Sequence, residues 1–368
     1  MTAAALVSVD ASPLEAARLA SLVDSGTPWA RARRVIDAFE AAVARRSSGR
    51  AGGVFYTPDV IVREMLERLP LDGRILDPSC GAGAFVCALV DRLGPPVLER
   101  LFACDVDPQA LDACALALAA MLGDDHRETI RRWRLENAHH LDFLKQRWPG
   151  EPPALIVGNP PYGLSDDPAL AERFPQLAGE RDLFACFLLR ALEVTGEGGR
   201  TALLVPDTWL SKTNSKGLRG MLSRRGLTRI VDFGKPFAAA RDTRVHAVVV
   251  GRADLCEVES LRDGRLEPMA PVTRDELVRT AERGWSLYRT AAEQAACAAM
   301  VRGGVALASM FDVVYGLRTG DNARFVAEGP GTVPLVSGGD LEPYDRLRKQ
   351  RHLAAPAEQF SQTRSQLG

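Results

Sequence analysis

The sequence has no excess of either charge and little of the chemistry that disulfide-rich or metal-bound folds require. Lysine and arginine together number 46 against 47 aspartate and glutamate, so the formal net charge is −1 at pH 7. Such a chain as a whole is not attracted to polyanions or membrane surfaces, and nucleic-acid binding would need a local basic face. The seven cysteines occur singly, without C-x-x-C spacing or His/Cys clusters, so we expect buried, reduced thiols and no metal site.

Long apolar runs are also missing. No segment approaches the roughly 20 apolar residues that span a membrane, and the N-terminus lacks a basic region followed by an apolar core. We therefore expect a cytoplasmic protein without a membrane partner. What the 368 residues do contain is 46% hydrophobic and 25% charged residues, which is typical of a globular chain with one large domain and part of another.

The hydrophobic pattern changes along the chain and predicts four segments. Residues 1–50 are alanine-rich with helical periodicity, which predicts a helical cap. Residues 51–254 alternate short β-rich runs with helix-like segments, and this alternation predicts an α/β domain with a doubly wound parallel sheet. Residues 255–302 are predicted to form a helical connector. Residues 303–368 are rich in glycine and turn residues, which predicts the start of a different, β-containing module that remains incomplete.

A glycine-containing turn follows the first strand of the α/β segment. In DPSCGAGAF, residues 77–85, Gly81 and Gly83 allow the backbone to turn tightly and approach a ligand where a helix begins. The next strand ends in CDVDP, at the distance where a carboxylate reaches ribose hydroxyls in nucleotide-binding folds, so Asp105 is a candidate ribose ligand. The turn has the form G-x-G and not G-x-G-x-x-G, which favours S-adenosylmethionine over NAD.

Five motifs occur in the order and spacing of a known family: FYTP (residues 55–58), DPSCGAGAF, DVDP, LDFL (residues 141–144) and NPPY. Together they resemble the gamma-class DNA adenine N6 methyltransferases of restriction-modification systems, over about residues 52–251. The resemblance implies an S-adenosylmethionine-dependent enzyme with a Rossmann-like catalytic domain that acts on double-stranded DNA with a flipped adenine. It also implies that residues 303–368 begin a target-recognition domain, which a specificity or C-terminal partner chain would complete.

The resemblance also implies which residues bind the cofactor. Asp77 matches the acidic residue near the cofactor amino group, Asp105 the ribose ligand, Asp142 the ligand of the adenine amino group and Phe143 the aromatic beside that ring. Each aspartate has the alternative role of a helix cap or turn residue. The full predicted set is Thr57, Pro58, Asp77, Pro78, Gly81, Gly83, Asp105, Asp142 and Phe143.

NPPY follows the apolar strand ALIVG and carries the predicted transfer chemistry. An adenine amino nitrogen is a poor nucleophile, because its lone pair is delocalised into the ring. The Asn159 side-chain oxygen and the Pro160 carbonyl, held by the stiff Pro160-Pro161 backbone, supply two acceptors that draw this nitrogen toward tetrahedral geometry and stabilise the developing charge. Tyr162 offers a face on which a flipped base can stack, and Phe237 resembles the family's second stacking aromatic.

A basic stretch follows Ser211, and no acidic residue interrupts it up to Val231. We predict that Lys212, Lys216 and Arg219 contact the DNA backbone, with Arg244 near Phe237 as a further candidate. The alternative is a basic helix face that is merely solvated.

NPPY alone does not choose the substrate, because Asn and Pro acceptors suit any planar amide or amino nitrogen. Enzymes with this motif on the same fold also methylate a glutamine of peptide release factors or a guanine of ribosomal RNA. The upstream FYTP and the C-terminal continuation favour DNA. A non-catalytic DNA-binding subunit is a third alternative, but it would be expected to lose Asn159 or Asp105, and both are present.

Overall fold

The computed structural model describes residues 12–22, 25–46, 57–177, 182–237, 243–262, 264–305 and 309–310, and the strands at 326–328, 333–335 and 351–353. The chain divides into two compact units, Met1–Ala295 and Ala296–Gly368. The first two residues of FYTP lie outside the described residues, as does most of the segment 303–368.

A ten-stranded sheet forms the centre of the first unit. Its strands are β1 Ile75–Asp77, β2 Leu101–Asp105, β3 Ala138–His140, β4 Leu155–Gly158, β5 Arg200–Pro206, β6 Leu227–Asp232, β7 Val245–Val250, β8 Leu255–Arg262, β9 Arg265–Pro268 and β10 Val272–Thr273. The order is β10-β8-β6-β7-β5-β4-β1-β2-β3, with β9 paired to β8. In the second unit, β11 Val326–Glu328, β12 Val333–Leu335 and β13 Arg351–Leu353 form an antiparallel sheet of order β11-β13-β12.

Helices connect and cover the strands. They are α1 Pro13–Ser21, α2 Pro28–Arg46, α3 Asp59–Glu67, α4 Ala84–Leu93, α5 Pro108–Leu122, α6 Arg127–Glu136, α7 Pro168–Arg173, α8 Leu183–Thr195, α9 Lys216–Arg225, α10 Arg274–Thr280 and α11 Ala291–Gly303. The N-terminal helices α1 and α2 pack against α5, and α2 also contacts α4. One continuous core of buried apolar side chains includes residues of α1, α2 and the sheet.

The strands β1 to β5 are parallel, and β7 runs antiparallel between β5 and β6. β1 and β4 are buried along their whole length, and Asp77 is their one charged residue, because helices cover both faces of such a sheet. The chain order reverses between β1 and β4, so the loops after these strands diverge and leave a crevice at their carboxyl ends. Asp77, Asp105 and Gly158 are the last residues of β1, β2 and β4, and they bring the sequence motifs to this one edge. The prediction of a doubly wound α/β sheet is confirmed, but only β1 to β5 and the β6–β8 pair are parallel, because β7, β9 and β10 run antiparallel to their neighbours.

The helical connector predicted for residues 255–302 is wrong in its first part. Residues 255–273 form β8, β9 and β10, which extend the main sheet beyond β6. The sequence LCEVESLR contains three charged residues, of which Glu257 and Arg262 are exposed. Glu259 is buried together with Cys256 and Val258, and it forms a 2.6 Å ion pair with Arg229 of β6. Helices α10 and α11 follow only after these strands.

Three further observations concern the cysteines, metal binding and membrane-spanning helices. All seven cysteines are free thiols and six of them are buried, in agreement with the sequence prediction. Within the described ranges, no group of three or more His, Cys, Asp or Glu side chains is arranged to hold a metal ion. None of the described helices combines the length and the apolar character needed to cross a membrane.

Candidate functional site

A cavity of about 540 Å³ lies at the carboxyl edge of the sheet, where the loops after β1, β2, β3 and β4 meet. All four NPPY residues and most of the predicted cofactor ligands line it. The lining residues are Glu40, Thr57, Asp77, Pro78, Ser79, Cys80, Gly81, Ala84, Phe85, Asp105, Val106, Leu141, Asp142, Phe143, Leu144, Lys145, Asn159, Pro160, Pro161, Tyr162, Gly163, Leu164, Ser165, Asp167, Leu170, Leu183 and Phe187. Pro58 and Gly83 of the predicted set are not among them.

Asp105 holds the glycine loop in place. Its Oδ2 accepts a hydrogen bond from the Gly81 backbone N–H at 2.9 Å, and its Oδ1 accepts one from Asp107 N–H at 2.9 Å. A carboxylate has about four acceptor positions, so capacity remains for a ligand hydroxyl group. Burial raises the pKa of Asp105, and the backbone hydrogen bonds from Asp107 and Gly81 partly oppose this effect.

The two glycines of the loop are required for different reasons. Both have positive φ angles, +52° at Gly81 and +96° at Gly83, which favour glycine. A Cβ atom on Gly81 would meet nothing within 4 Å, whereas one on Gly83 would lie 2.4 Å from the Cys114 Sγ of α5. Gly81 therefore opens the loop to a ligand, while Gly83 permits close packing between the start of α4 and α5.

Asp77 is packed between the glycine loop and the NPPY loop. Its side chain is 1% exposed, and its Oδ1 accepts a hydrogen bond from Ser79 N–H at 3.2 Å. Burial raises the pKa of this carboxyl to about 8. A Cβ atom on Gly158 would lie 2.6 Å from Asp77 Oδ1, so only glycine fits at the residue before Asn159. Gly158 was not among the predicted site residues, although it stands directly before NPPY.

Asn159 is tied to two other motifs. Its Nδ2 donates a hydrogen bond to Thr57 Oγ1 at 3.0 Å, and its backbone carbonyl accepts one from Ser79 Oγ at 3.2 Å. The Thr57 carbonyl in turn accepts a hydrogen bond from Arg33 of α2 at 3.3 Å. Because Nδ2 donates to Thr57, the Asn159 Oδ1 atom points away from Thr57. This oxygen is the acceptor end of the amide.

The LDFL motif forms another wall of the cavity. Asp142 Oδ1 accepts hydrogen bonds from Leu144 N–H at 3.0 Å and Lys145 N–H at 3.3 Å, so this aspartate does serve as a turn residue. Its Oδ2 lies 4.0 Å from Lys145 Nζ, which also forms a 2.7 Å ion pair with Asp167 in the loop after NPPY. Phe143 stacks on Phe187 of α8, with ring centroids 5.6 Å apart and planes inclined by 26°.

Apolar side chains that the sequence analysis missed complete this part of the cavity. Val106 and Leu164 line it although they are 64% and 63% exposed, and Phe187 supports the ring of Phe143. Apolar side chains that line a pocket beside a few polar groups are typical of a small-molecule site. Val106 lies between the two aspartates of DVDP, and this position in a predicted ligand-binding motif could have identified it from the sequence.

The two predicted stacking aromatics contact each other. Tyr162 and Phe237 have centroids 6.2 Å apart and planes inclined by 61°, an edge-to-face arrangement. The Tyr162 hydroxyl donates a hydrogen bond to the Leu204 carbonyl of β5 at 3.2 Å. Phe237 does not line the cavity. A base between the two rings would therefore require them to separate.

The basic residues predicted to contact DNA differ in environment. Arg219 is fully buried, and it donates hydrogen bonds to the carbonyls of Ala281 and Trp209 at 2.6 Å each and of Lys212 at 2.8 Å. The prediction that Arg219 contacts DNA is wrong, because its guanidinium is enclosed in the protein. Lys216 is exposed at the start of α9, whereas the Lys212 ammonium forms a 2.6 Å ion pair with Asp182.

Arg244 is likewise engaged within the protein. Its guanidinium makes two hydrogen bonds to the buried Asp232 carboxylate, at 2.9 and 2.6 Å. This paired geometry holds the start of β7 against the end of β6 and offsets the charge of Arg244. Its contact with the DNA backbone stays a prediction.

Comparison with known proteins gives the family context of this site. A family model described as Eco57I restriction-modification methylase matches residues 154–237, from the strand before NPPY to Phe237. The type II methyltransferase M.TthHB8I of Thermus thermophilus is 28% identical over 328 residues, which are 81% of this chain and 67% of that protein. The type II methyltransferase M.VspI of Vibrio sp. is 26% identical over 192 residues, or 50% of this chain and 44% of that protein.

The chain resembles the DNA methyltransferases of restriction-modification systems. This confirms the resemblance inferred from the five motifs. Solved structures agree on the fold: the DrdV–DNA complex has a TM-score of 0.52 at 17% identity, covering 73% of this chain and 32% of that chain. The type IIL restriction-modification enzyme MmeI has a TM-score of 0.50 at 16% identity, covering 68% of this chain and 43% of that chain.

The cavity fits S-adenosylmethionine by its chemistry. Gly81 leaves space above the backbone of the glycine loop, and Asp105 retains acceptor capacity for ribose hydroxyls. The apolar walls formed by Val106, Leu164 and Phe143 suit a flat purine ring. The predicted ligands Asp77, Asp105 and Asp142 all line this single cavity, together with Asn159.

Proposed function

We propose that this chain transfers a methyl group from S-adenosylmethionine to the N6 amino group of adenine in DNA. The observation that carries the proposal is the shared cavity, in which Asn159 and Pro160 adjoin the proposed cofactor ligands Asp77 and Asp105. S-adenosylmethionine, when bound, supplies a methyl group made electrophilic by its positively charged sulfur. The chain spans 67% of the Thermus relative and 44% of the Vibrio relative, and the activity of the whole protein is part of this proposal.

Asn159 and Pro160 hold the amino nitrogen of the target base. Asn159 Oδ1 and the Pro160 carbonyl accept its two hydrogens, which draws the nitrogen toward tetrahedral geometry and directs its lone pair out of the ring plane. The same acceptors stabilise the positive charge that develops on the nitrogen. Thr57 fixes the rotation of the Asn159 amide, so its Oδ1 acceptor is oriented before the base arrives.

Tyr162 and Phe237 contribute in a second way. A base that leaves its duplex loses stacking energy, which an aromatic face partly restores. Tyr162 lines the cavity next to Pro161 and presents a ring whose hydroxyl is anchored to β5, so it is the preferred stacking face. We propose that Phe237 joins this contact after the two rings move apart.

The proposal extends to the partners and domains. Lys216 and, after release from its partner Asp182, Lys212 are positioned for phosphate contacts near α9. Residues 51–254 form the proposed catalytic domain, which β8, β9 and β10 extend at the edge of the sheet. Residues 303–368 are proposed to belong to a target-recognition domain, and a specificity chain is a proposed partner.

The decisive experiment incubates the purified protein with methyl-labelled cofactor and unmethylated genomic DNA, followed by digestion to nucleosides. The expected product is labelled N6-methyladenine, and none forms with the Asn159→Ala variant. Parallel reactions with a release-factor protein and with ribosomal RNA test the alternatives. Label in glutamine or guanine, and none in adenine, would replace the proposed substrate; label in no substrate despite cofactor binding would favour a non-catalytic subunit.

A further inference from the structure

One residue of the cavity comes from outside the five motifs. Glu40 belongs to the N-terminal helix α2, and its side chain lines the cavity together with Thr57, Asp77 and Asn159. Glu40 keeps some solvent exposure as a residue, but its Oε2 atom is buried and has no hydrogen-bond partner among the residues that the structure describes. A buried carboxylate oxygen without a donor is costly, so its retention on a cavity wall indicates a ligand.

The contacts of helix α2 show which part of the cavity Glu40 lines. Arg33, on the same helix, interacts electrostatically with Glu40 and donates a hydrogen bond to the Thr57 carbonyl. Glu40 therefore lies on the Thr57 side of the cavity. The other proposed cofactor ligands lie on different elements: Asp142 and Phe143 belong to the loop after β3, and Asp105 holds the glycine loop.

Resting on the proposed function, we propose that Glu40 binds the α-ammonium group of the methionine moiety of S-adenosylmethionine. The cofactor has three kinds of hydrogen-bond donor: ribose hydroxyls, the adenine amino group and the α-ammonium. Asp105 and Asp142 are the proposed partners of the first two, and Glu40 is on the side of Thr57, which the motif match assigns to the methionine moiety. An ammonium has three N–H donors, so one contact with Glu40 leaves two donors for other acceptors of the site.

Charge supports this choice of ligand group. Burial raises the pKa of Glu40 to about 8, while Arg33 lowers it and Asp37 raises it to a smaller extent. Arrival of an ammonium favours the ionised carboxylate, because an opposite charge stabilises it. Helix α2 would then be part of the cofactor site, in addition to supporting α5.

The test measures ligand binding by calorimetry with the wild-type protein and Glu40→Gln. The two ligands are S-adenosylhomocysteine, which carries the amino-acid group, and 5′-methylthioadenosine, which lacks it. We expect Glu40→Gln to weaken S-adenosylhomocysteine binding by about 10–100-fold, the range for one charge-assisted hydrogen bond, and 5′-methylthioadenosine binding by less than about twofold. Equal weakening of both ligands, or of neither, overturns the inference.

Two controls separate this role from a structural one. Glu67→Gln removes an exposed carboxylate at the end of α3, which lies outside the cavity lining, and should leave both affinities unchanged. The unliganded Glu40→Gln protein should melt at or above the wild-type temperature at pH 9, because the substitution removes a buried charge. A lower melting temperature together with equal loss of both ligands would assign Glu40 a structural role. A wild-type protein that binds neither ligand would instead overturn the proposed function itself.

Discussion

The Asn159 side-chain amide donates a 3.0 Å hydrogen bond to the Thr57 hydroxyl, which lies 102 residues earlier in the chain. The bond joins the FYTP and NPPY motifs directly. A side-chain amide can rotate to exchange its oxygen and nitrogen, and only one orientation presents an acceptor to an amino group. The contact therefore gives Thr57 an orienting role in addition to its predicted place beside the cofactor.

Thr57→Val should lower the rate of methyl transfer about tenfold or more, because Asn159 loses the acceptor that fixes its amide. Thr57→Ser keeps the hydroxyl and should stay within about threefold of wild type. Single-turnover rates at saturating cofactor and DNA measure the effect, and calorimetry checks cofactor affinity. Equal rates for the valine and serine variants would remove the orienting role.

Asn159→Ala should abolish transfer and leave cofactor binding close to wild type, because the proposed role of this side chain is to bind the target base. Tyr162→Phe should retain substantial activity, since stacking needs the ring, but it should lose about 1 kcal/mol of stability with the hydrogen bond to Leu204. Transfer assays and urea unfolding measure the two effects. An inactive, stably folded Tyr162→Phe protein would point to a chemical role for the hydroxyl.

Gly158→Ala should reduce transfer at least tenfold and lower the free energy of unfolding by about 1–3 kcal/mol. The added methyl group would lie 2.6 Å from Asp77 Oδ1 and 3.2 Å from Pro78 Cδ, so either the glycine loop or Asn159 must shift. Gly198→Ala is the matched control, because a Cβ there meets nothing within 4 Å. If Gly158→Ala and Gly198→Ala have the same transfer rate and the same free energy of unfolding, the packing of Asp77 on Gly158 does not contribute to function.

Arg219→Ala should destabilise the protein by about 3 kcal/mol or more, because three backbone carbonyls lose a charged donor. Lys216→Ala should leave stability within about 0.5 kcal/mol, but reduce the salt dependence of DNA affinity by about one unit of slope. Chemical unfolding and DNA titrations at several salt concentrations distinguish the two. An unchanged salt slope in Lys216→Ala would place this lysine outside the DNA interface.

Asp77 should make the unliganded protein less stable as the pH rises. Its pKa is raised by burial from 3.8 to about 8, so the folded state holds a proton that the unfolded state releases, and this contribution is lost as the pH rises toward and through 8. In Asp77→Asn, the fall in unfolding free energy between pH 5 and pH 9 should be smaller than in wild type. Urea unfolding at both pH values tests this, with the exposed Asp72→Asn as control.

If the unfolding free energy falls by the same amount between pH 5 and pH 9 in wild type and in Asp77→Asn, this carboxyl does not carry the pH dependence. Glu40 contributes with the same sign, because burial also raises its pKa to about 8. The unfolding free energy of the Asp77→Asn variant should therefore still fall somewhat as the pH rises. It should fall less in the double variant that also carries Glu40→Gln.

The sequence alone predicted the parts of the fold that depend on local pattern. Unbroken apolar runs ending in Asp77, Asp105 and Gly158 indicated buried parallel strands, and the residues after such strands meet at one edge of a sheet. β8 escaped prediction because two glutamates, a serine and an arginine give LCEVESLR the composition of a polar linker, although Glu259 and Ser260 are buried in the fold. Its place between β10 and β6 depends on pairing with both neighbours.

Sequence by itself determined the motifs, the strand ends that carry them and the family resemblance, because these depend on residue type and spacing. Only the tertiary structure decided which charges face solvent and which distant groups meet. Arg219 and Lys216 look equivalent in the sequence, yet one is enclosed by carbonyls and the other exposed. Likewise, Glu40 reaches the cavity only because α2 packs against α4 and α5. Burial and long-range contact arise from the packing of whole elements, and no local pattern encodes them.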